Sequence, residues 1–184
     1  DEIAIRTRPG AESRRGEVES VAAALLPFRP IRAIEAPATI DGGDVLRIGR
    51  TIYVGQAART NAEAVRQLDA LVNVYGYAVQ GVPTRECLHL KSAVTAVADG
   101  VVLINPDWVD ADVFAAFRRI EIDPDEPHAA NALRIGDRII YPDNFPRTRR
   151  RLEEAGIDVA TVGVSELQKA EGAVTCCSIV FGDR

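Results

Sequence analysis

Two adjacent cysteines, Cys176 and Cys177, stand in the stretch "EGAVTCCSIV" between Gly172 and an apolar run that reads as a β-strand. A cysteine becomes a nucleophile when a base or cation favours its thiolate, and that base needs an acidic group to hold its imidazole in one tautomer. His89 in "CLHLKS" and an aspartate of "DGGD", Asp41 or Asp44, supply those residue types. Taken singly, each has a plainer explanation: small buried thiols, a strand histidine and a glycine-rich turn. A metal site is the other chemistry on offer, because Cys87 and His89 share one face of an expected strand (i, i+2) and the thiol pair could complete four ligands. That pattern lacks a second paired element, and neighbouring strand residues point to opposite faces. No metal or cofactor is therefore expected.

The elements that must position these residues repeat along the chain. "VLRIGRTIYVG" (45–55), "AVTAVADGVVLIN" (93–105) and "ALRIGDRIIYP" (132–142) are three hairpins broken at Gly49-Arg50, Asp99-Gly100 and Gly136-Asp137. A helix-compatible segment follows each, at 60–73, 107–117 and 146–155, and then a further strand: "GYAVQGV", "RRIEI" and "GIDVATV". One helical face carries Val65, Leu68 and Val72; an earlier helix, 14–26, carries Val18, Val21, Ala22 and Leu25. It lies between the strands "EIAIRTRP" and "PIRAIEA". The unit recurs every ~45 residues, a period that signals repeat architectures, here blades of strand pairs plus one helix around an axis. "DGGD", "CLHLKS", "HAAN" and "TCCS" all fall just ahead of a unit's first strand, so Asp41, Asp44, His89, Asn131 and Cys176 could converge at one mouth.

Composition narrows the function further. The chain has 184 residues, 47% hydrophobic, enough for one compact domain over 1–184. A net charge of -5, from 27 acidic and 22 basic residues, argues against a nucleic-acid surface. No apolar run is long enough to span a membrane. Three cysteines, an odd count, argue against a disulfide framework and for a reducing compartment, the cytoplasm. "EIAIRTRP" reads as the second strand of a hairpin whose first strand is not in the chain, so the repeat is expected to be incomplete at its N-terminus.

"TRPGAESRRGEV", "DGGDVLRIGRTIYVGQAARTN", "LHLKSAV", "AAN" and "EGAVTCCSIV", in this order, resemble the dimethylarginine dimethylaminohydrolases, members with arginine deiminases and amidinotransferases of a guanidine-modifying superfamily. The resemblance spans essentially the whole chain. It implies a five-bladed α/β propeller (pentein) with Cys176 as nucleophile, His89 as general acid/base and Asp41 as the acid that orients it. It further implies a substrate-binding set of Arg14, Arg59, Asp44, Lys91 and the main chain at Ala170, and hydrolysis of Nω-methylated arginine to citrulline and a methylamine. Lys91 stands where arginine deiminases carry an aspartate that grips the guanidinium, which favours methylated over free arginine as substrate. The family's acidic pair that grips the guanidinium lies upstream of the first residue here, to be supplied by a longer chain or a second one; a homodimer stays open. Arginine deiminase or amidinotransferase action, an inactive fragment that binds arginine-like ligands, and a zinc-binding protein are the competing readings.

Overall fold

The computed structural model describes residues 2–176 and 178–182. Two compact units emerge, one holding residues 2–83 with 181–182, the other residues 84–180. In chain order the first unit contains β1 (Ala4–Arg6), α1 (Glu17–Leu25), β2 (Ile31–Ala33), β3 (Val45–Ile48), β4 (Thr51–Gln56), α2 (Ala62–Val72) and β5 (Ala78–Pro83). The second contains α3 (Leu90–Ala93), β6 (Val94–Ala98), β7 (Val101–Ile104), β8 (Arg118–Glu121), β9 (Leu133–Ile135), β10 (Arg138–Pro142), α4 (Pro146–Glu154), β11 (Asp158–Val162) and α5 (Ser165–Lys169).

The expected repeat is present three times in full. Each three-stranded sheet pairs a hairpin antiparallel and then adds the post-crossover strand in parallel: β3-β4-β5, β6-β7-β8 and β9-β10-β11. All three hairpins turn on a glycine at positive φ (Gly49, Gly100 and Gly136), the conformation that only a residue without Cβ adopts freely. β1 and β2 form a parallel pair across α1.

Helix packing follows the apolar spacing in α2, where Ala64, Leu68 and Val72 are buried at i, i+4, i+8 and Asn61 caps the first turn by accepting from Ala64 N at 3.0 Å. With Ile34, Ile40, Ile52 and Val54 they form the first unit's core. In the second unit Leu103, Ile120, Ile139, Tyr141 and Leu152 form the corresponding core. Glu126, buried, caps α4 with both carboxylate oxygens, accepting from Arg147 N at 3.0 Å and Thr148 N at 2.7 Å. α1 departs from expectation: it buries none of its residues, and Val21 is exposed.

Three further expectations change. The helix expected over 107–117 shrinks to one 3-10 turn, Ala111–Phe114, because the preceding backbone is already engaged. Trp108 O accepts from Arg85 N at 2.9 Å, and Val109 bridges to Thr84. Cys87 and His89 do not lie on a strand. They precede α3 in a bent segment, and the His89 carbonyl begins that helix by accepting from Ser92 N at 3.0 Å. The shared strand face on which the metal reading rested is therefore absent. Residues 178–180 form no strand either; Ser178 turns back onto Val174 O at 3.1 Å, and Ile179 and Val180 are exposed. Among the described residues no helix is long and apolar enough to cross a membrane.

Candidate active site

The second unit encloses a cavity of about 550 Å³. Cys176 and His89, 87 positions apart in the chain, both line it. So do Cys87, Ser92, Trp108, His128, Asn131, Phe145, Gln168 and Glu171. The two histidines of the chain thus share one cavity.

The wall that carries Cys176 is built by the end of α5. Glu171 N donates to Gln168 O at 3.0 Å and Gly172 N to Leu167 O at 2.8 Å, the double closure of a Schellman turn. Its left-handed position, usually glycine, is held here by Glu171 at φ 56°. A tighter turn follows, in which Cys176 N donates to Ala173 O at 3.0 Å. Cys176 leaves it as a free, exposed thiol. His89 has extended backbone at the N-cap of α3, where its side chain makes no capping bond to the helix. Trp108, mostly buried, packs edge-on against His128 with ring centroids 5.0 Å apart.

The first unit holds a cluster of opposite charges. Asp41, 2% exposed, accepts from Gly10 N at 3.0 Å, and its Oδ2 lies 3.9 Å from Arg14 Nη1 and 3.8 Å from Arg59 Nη1. Arg14 is also held by Glu17, and Arg59 sits in the tight turn after β4 that Ala57 and Thr60 close. The Thr60 hydroxyl donates to Asp44 at 2.6 Å while accepting from Asp41 N at 3.2 Å. Gly10 fits because it has no Cβ: one placed there would stand 2.5 Å from Arg59 O. A carboxylate this buried is tolerated because cations and an N–H surround it.

The candidates named from sequence therefore fall into two groups. His89, Asn131 and Cys176 share the cavity; Asp41, Asp44, Arg14 and Arg59 form the charged cluster of the first unit. Lys91 and Ala170 are not among the cavity-lining residues. The Lys91 carbonyl accepts from Asn131, and Ala170 lies in the turn that ends α5. Cys177 lies outside the described residues. Among them no three His, Cys, Asp or Glu side chains gather as a metal site. Sequence reasoning missed Trp108, Phe145, Gln168 and Glu171. His128 had a signal, since "HAAN" occupies the same repeat position as "TCCS".

A thiol and an imidazole on one semi-enclosed wall can perform covalent chemistry on a small electrophile, the imidazole moving the protons. The fold is shared with an amidinotransferase from Microseira wollei at TM-score 0.84 and 16% identity, over 98% of this chain and 66% of that one. The likeness is one of α/β fold.

Nearer relatives specify the family. The chain is 39% identical to the N(G),N(G)-dimethylarginine dimethylaminohydrolase of Pseudomonas aeruginosa over 180 residues, 97% of this chain and 71% of that protein. With the corresponding protein of Streptomyces coelicolor it shares 42% over 178 residues, 96% of this chain and 68% of the other. A structure of a variant of the P. aeruginosa protein complexed with citrulline superposes at TM-score 0.90 and 38% identity, over 95% of this chain and 69% of the other. No protein-family model matches. The chain belongs to the dimethylarginine dimethylaminohydrolase family.

Proposed function

We propose that this protein hydrolyses Nω-methylated arginine to citrulline and a methylamine, with Cys176 as nucleophile and His89 as acid and base. The observation that carries the reading is the meeting of these two residues in one cavity of a chain that belongs to this family. His89 takes the Cys176 thiol proton as the sulfur bonds to the guanidinium carbon, the bond from that carbon to the methylated nitrogen breaks, and His89 gives the departing amine that proton. His89 then takes a proton from water, the resulting hydroxide adds to the same carbon, and the carbon–sulfur bond breaks to release citrulline while His89 returns its proton to the sulfur and restores the thiol. One water is consumed and no electrons are gained or lost.

Asp41 is proposed as the acid that fixes the His89 tautomer, and Arg14 and Arg59 as the groups for the amino-acid end of the substrate, assisted by Asp44 and the main chain near Ala170. The support for Arg14 and Arg59 is the cluster in which both guanidinium groups already face one carboxylate, the chemistry a substrate carboxylate would engage. Lys91 in place of an acid removes a partner for an unmodified guanidinium and so favours methylated substrates. A chemistry that depends on a reduced thiol fits the cytoplasm.

The test is citrulline and dimethylamine release from dimethylarginine by the purified chain. Cys176→Ser is expected to lower kcat by about 10³-fold or more, and Cys177→Ser to leave it within about threefold. Turnover that survives in Cys176→Ser overturns the reading, as does faster ammonia release from free arginine than dimethylamine release from dimethylarginine.

A further inference from the structure

We infer that Asn131 is a positioning residue: its side-chain amide locks the turn that carries Cys176 to the segment that carries His89, an inference that rests on the roles proposed above for those two residues.

The geometry is specific. Asn131 Nδ2 donates to Lys91 O and to Thr175 Oγ1, each at 2.9 Å, and its Oδ1 accepts from Thr175 N at 3.3 Å. Thr175 is the residue before Cys176, and Lys91 is two beyond His89. Both amide hydrogens are therefore spent inside the protein, one on each segment, and the amide orientation is set by its partners. Only Asn or Gln can donate twice and accept from one planar group, and Gln would place it one methylene too far.

The arm is fixed at its base. Thr95, buried on β6, donates to Ala130 O at 2.6 Å and accepts from Ala132 N at 3.2 Å, gripping the peptides on both sides of Asn131. Tyr141 Oη donates to Ala129 O at 2.7 Å. Asn131 itself is 5% exposed. Among the described residues, 178–180 join no strand, and the Cys176 turn is otherwise closed by local bonds, Cys176 N to Ala173 O at 3.0 Å and Ser178 Oγ to Val174 O at 3.1 Å. A displacement of the attacking sulfur by about 1 Å is enough to lose about 10²-fold in rate.

Two variants and two readouts test this. Asn131→Asp keeps an acceptor for Thr175 N but sets an oxygen against Lys91 O, and Thr175→Val removes one hydrogen bond at constant size. Expected for Asn131→Asp is a fall in kcat of about 10- to 100-fold with KM within about threefold; for Thr175→Val a fall of about tenfold; for Thr175→Ser, which restores the hydroxyl, less than about twofold. The second readout needs no substrate: the rate at which iodoacetamide modifies Cys176, followed by peptide mass. His89→Ala and Asn131→Asp are each expected to slow it, and the double variant to be no slower than the slower single, because both act through one geometry. Independent, multiplying effects overturn the inference. So does a lowered melting temperature with kcat and modification rate unchanged. If wild type makes no citrulline while the two residues still couple, the hydrolase reading fails and the positioning role stands. If wild type turns over and both Asn131→Asp and Thr175→Val match it, the reverse holds.

Discussion

The two units organise their polar residues by different means. In the first, Asp41 is held between Arg14 and Arg59, and formal charge does most of the ordering. In the second, the cavity wall is ordered by neutral amides and hydroxyls: Asn131 on Thr175 and Lys91, Thr95 on residues 130 and 132, Tyr141 on Ala129. Charge tolerates loose geometry, with contacts near 4 Å still attractive, whereas a neutral hydrogen bond is lost within a few tenths of an ångström. The charged cluster therefore tolerates small displacements that would break the neutral network.

The variant that presses hardest on this contrast is Asp41→Ala, which leaves two guanidinium groups and the Gly10 N–H without their shared acceptor. It is expected to lower stability by ~2–3 kcal/mol in urea unfolding, less than for a fully buried pair because both arginines reach solvent. Gly10→Ala comes next, at about 1–3 kcal/mol, since its new methyl must displace the Arg59 backbone. In the second unit Glu126→Ala removes both acceptors from the start of α4 and is expected to lower stability by ~1–2 kcal/mol.

The smallest effect is the most diagnostic. Burial, aided by the nearby Glu126 charge, pushes the Tyr141 hydroxyl well above the usual tyrosine range. The folded state therefore holds its proton where the unfolded chain releases it. The associated stability is complete below pH ~10 and is lost as pH rises beyond, at up to about 1.4 kcal/mol per pH unit. Tyr141→Phe should lower stability by ~1 kcal/mol at neutral pH, through loss of the bond to Ala129 O, and flatten the alkaline decline. Chemical denaturation at a series of pH values between 8 and 11 reads both. An unchanged alkaline slope would show that the hydroxyl does not order this region.

Much of the architecture was legible because alternating apolar residues and turn glycines are local signals. Gly49, Gly100 and Gly136 mark the three hairpins, and the spacing of Leu68 and Val72 marks the buried face of α2. The misreadings share one cause. At 87–89, 107–110 and 178–180 the apolar pattern suits a strand or helix, but backbone groups there are claimed by a partner far along the chain or by a local turn: His89 with Ser92, Trp108 with Arg85, Val109 with Thr84, Ser178 with Thr175. Pattern reads faces; it does not read which carbonyl a distant N–H reaches. The cavity shows the same division. His89, Asn131 and Cys176 were visible because they recur at one position of the repeat, whereas Trp108, Phe145 and Gln168 arrive there through packing alone.

Glu171 offers a closing consequence. Ordinary side chains resist the backbone conformation it adopts, so Glu171→Gly should make the protein more heat-tolerant while erasing a negative group from the rim of the cavity. Robustness and the electrical character of the pocket are tied together at a single residue, and selection for one in the laboratory would erode the other.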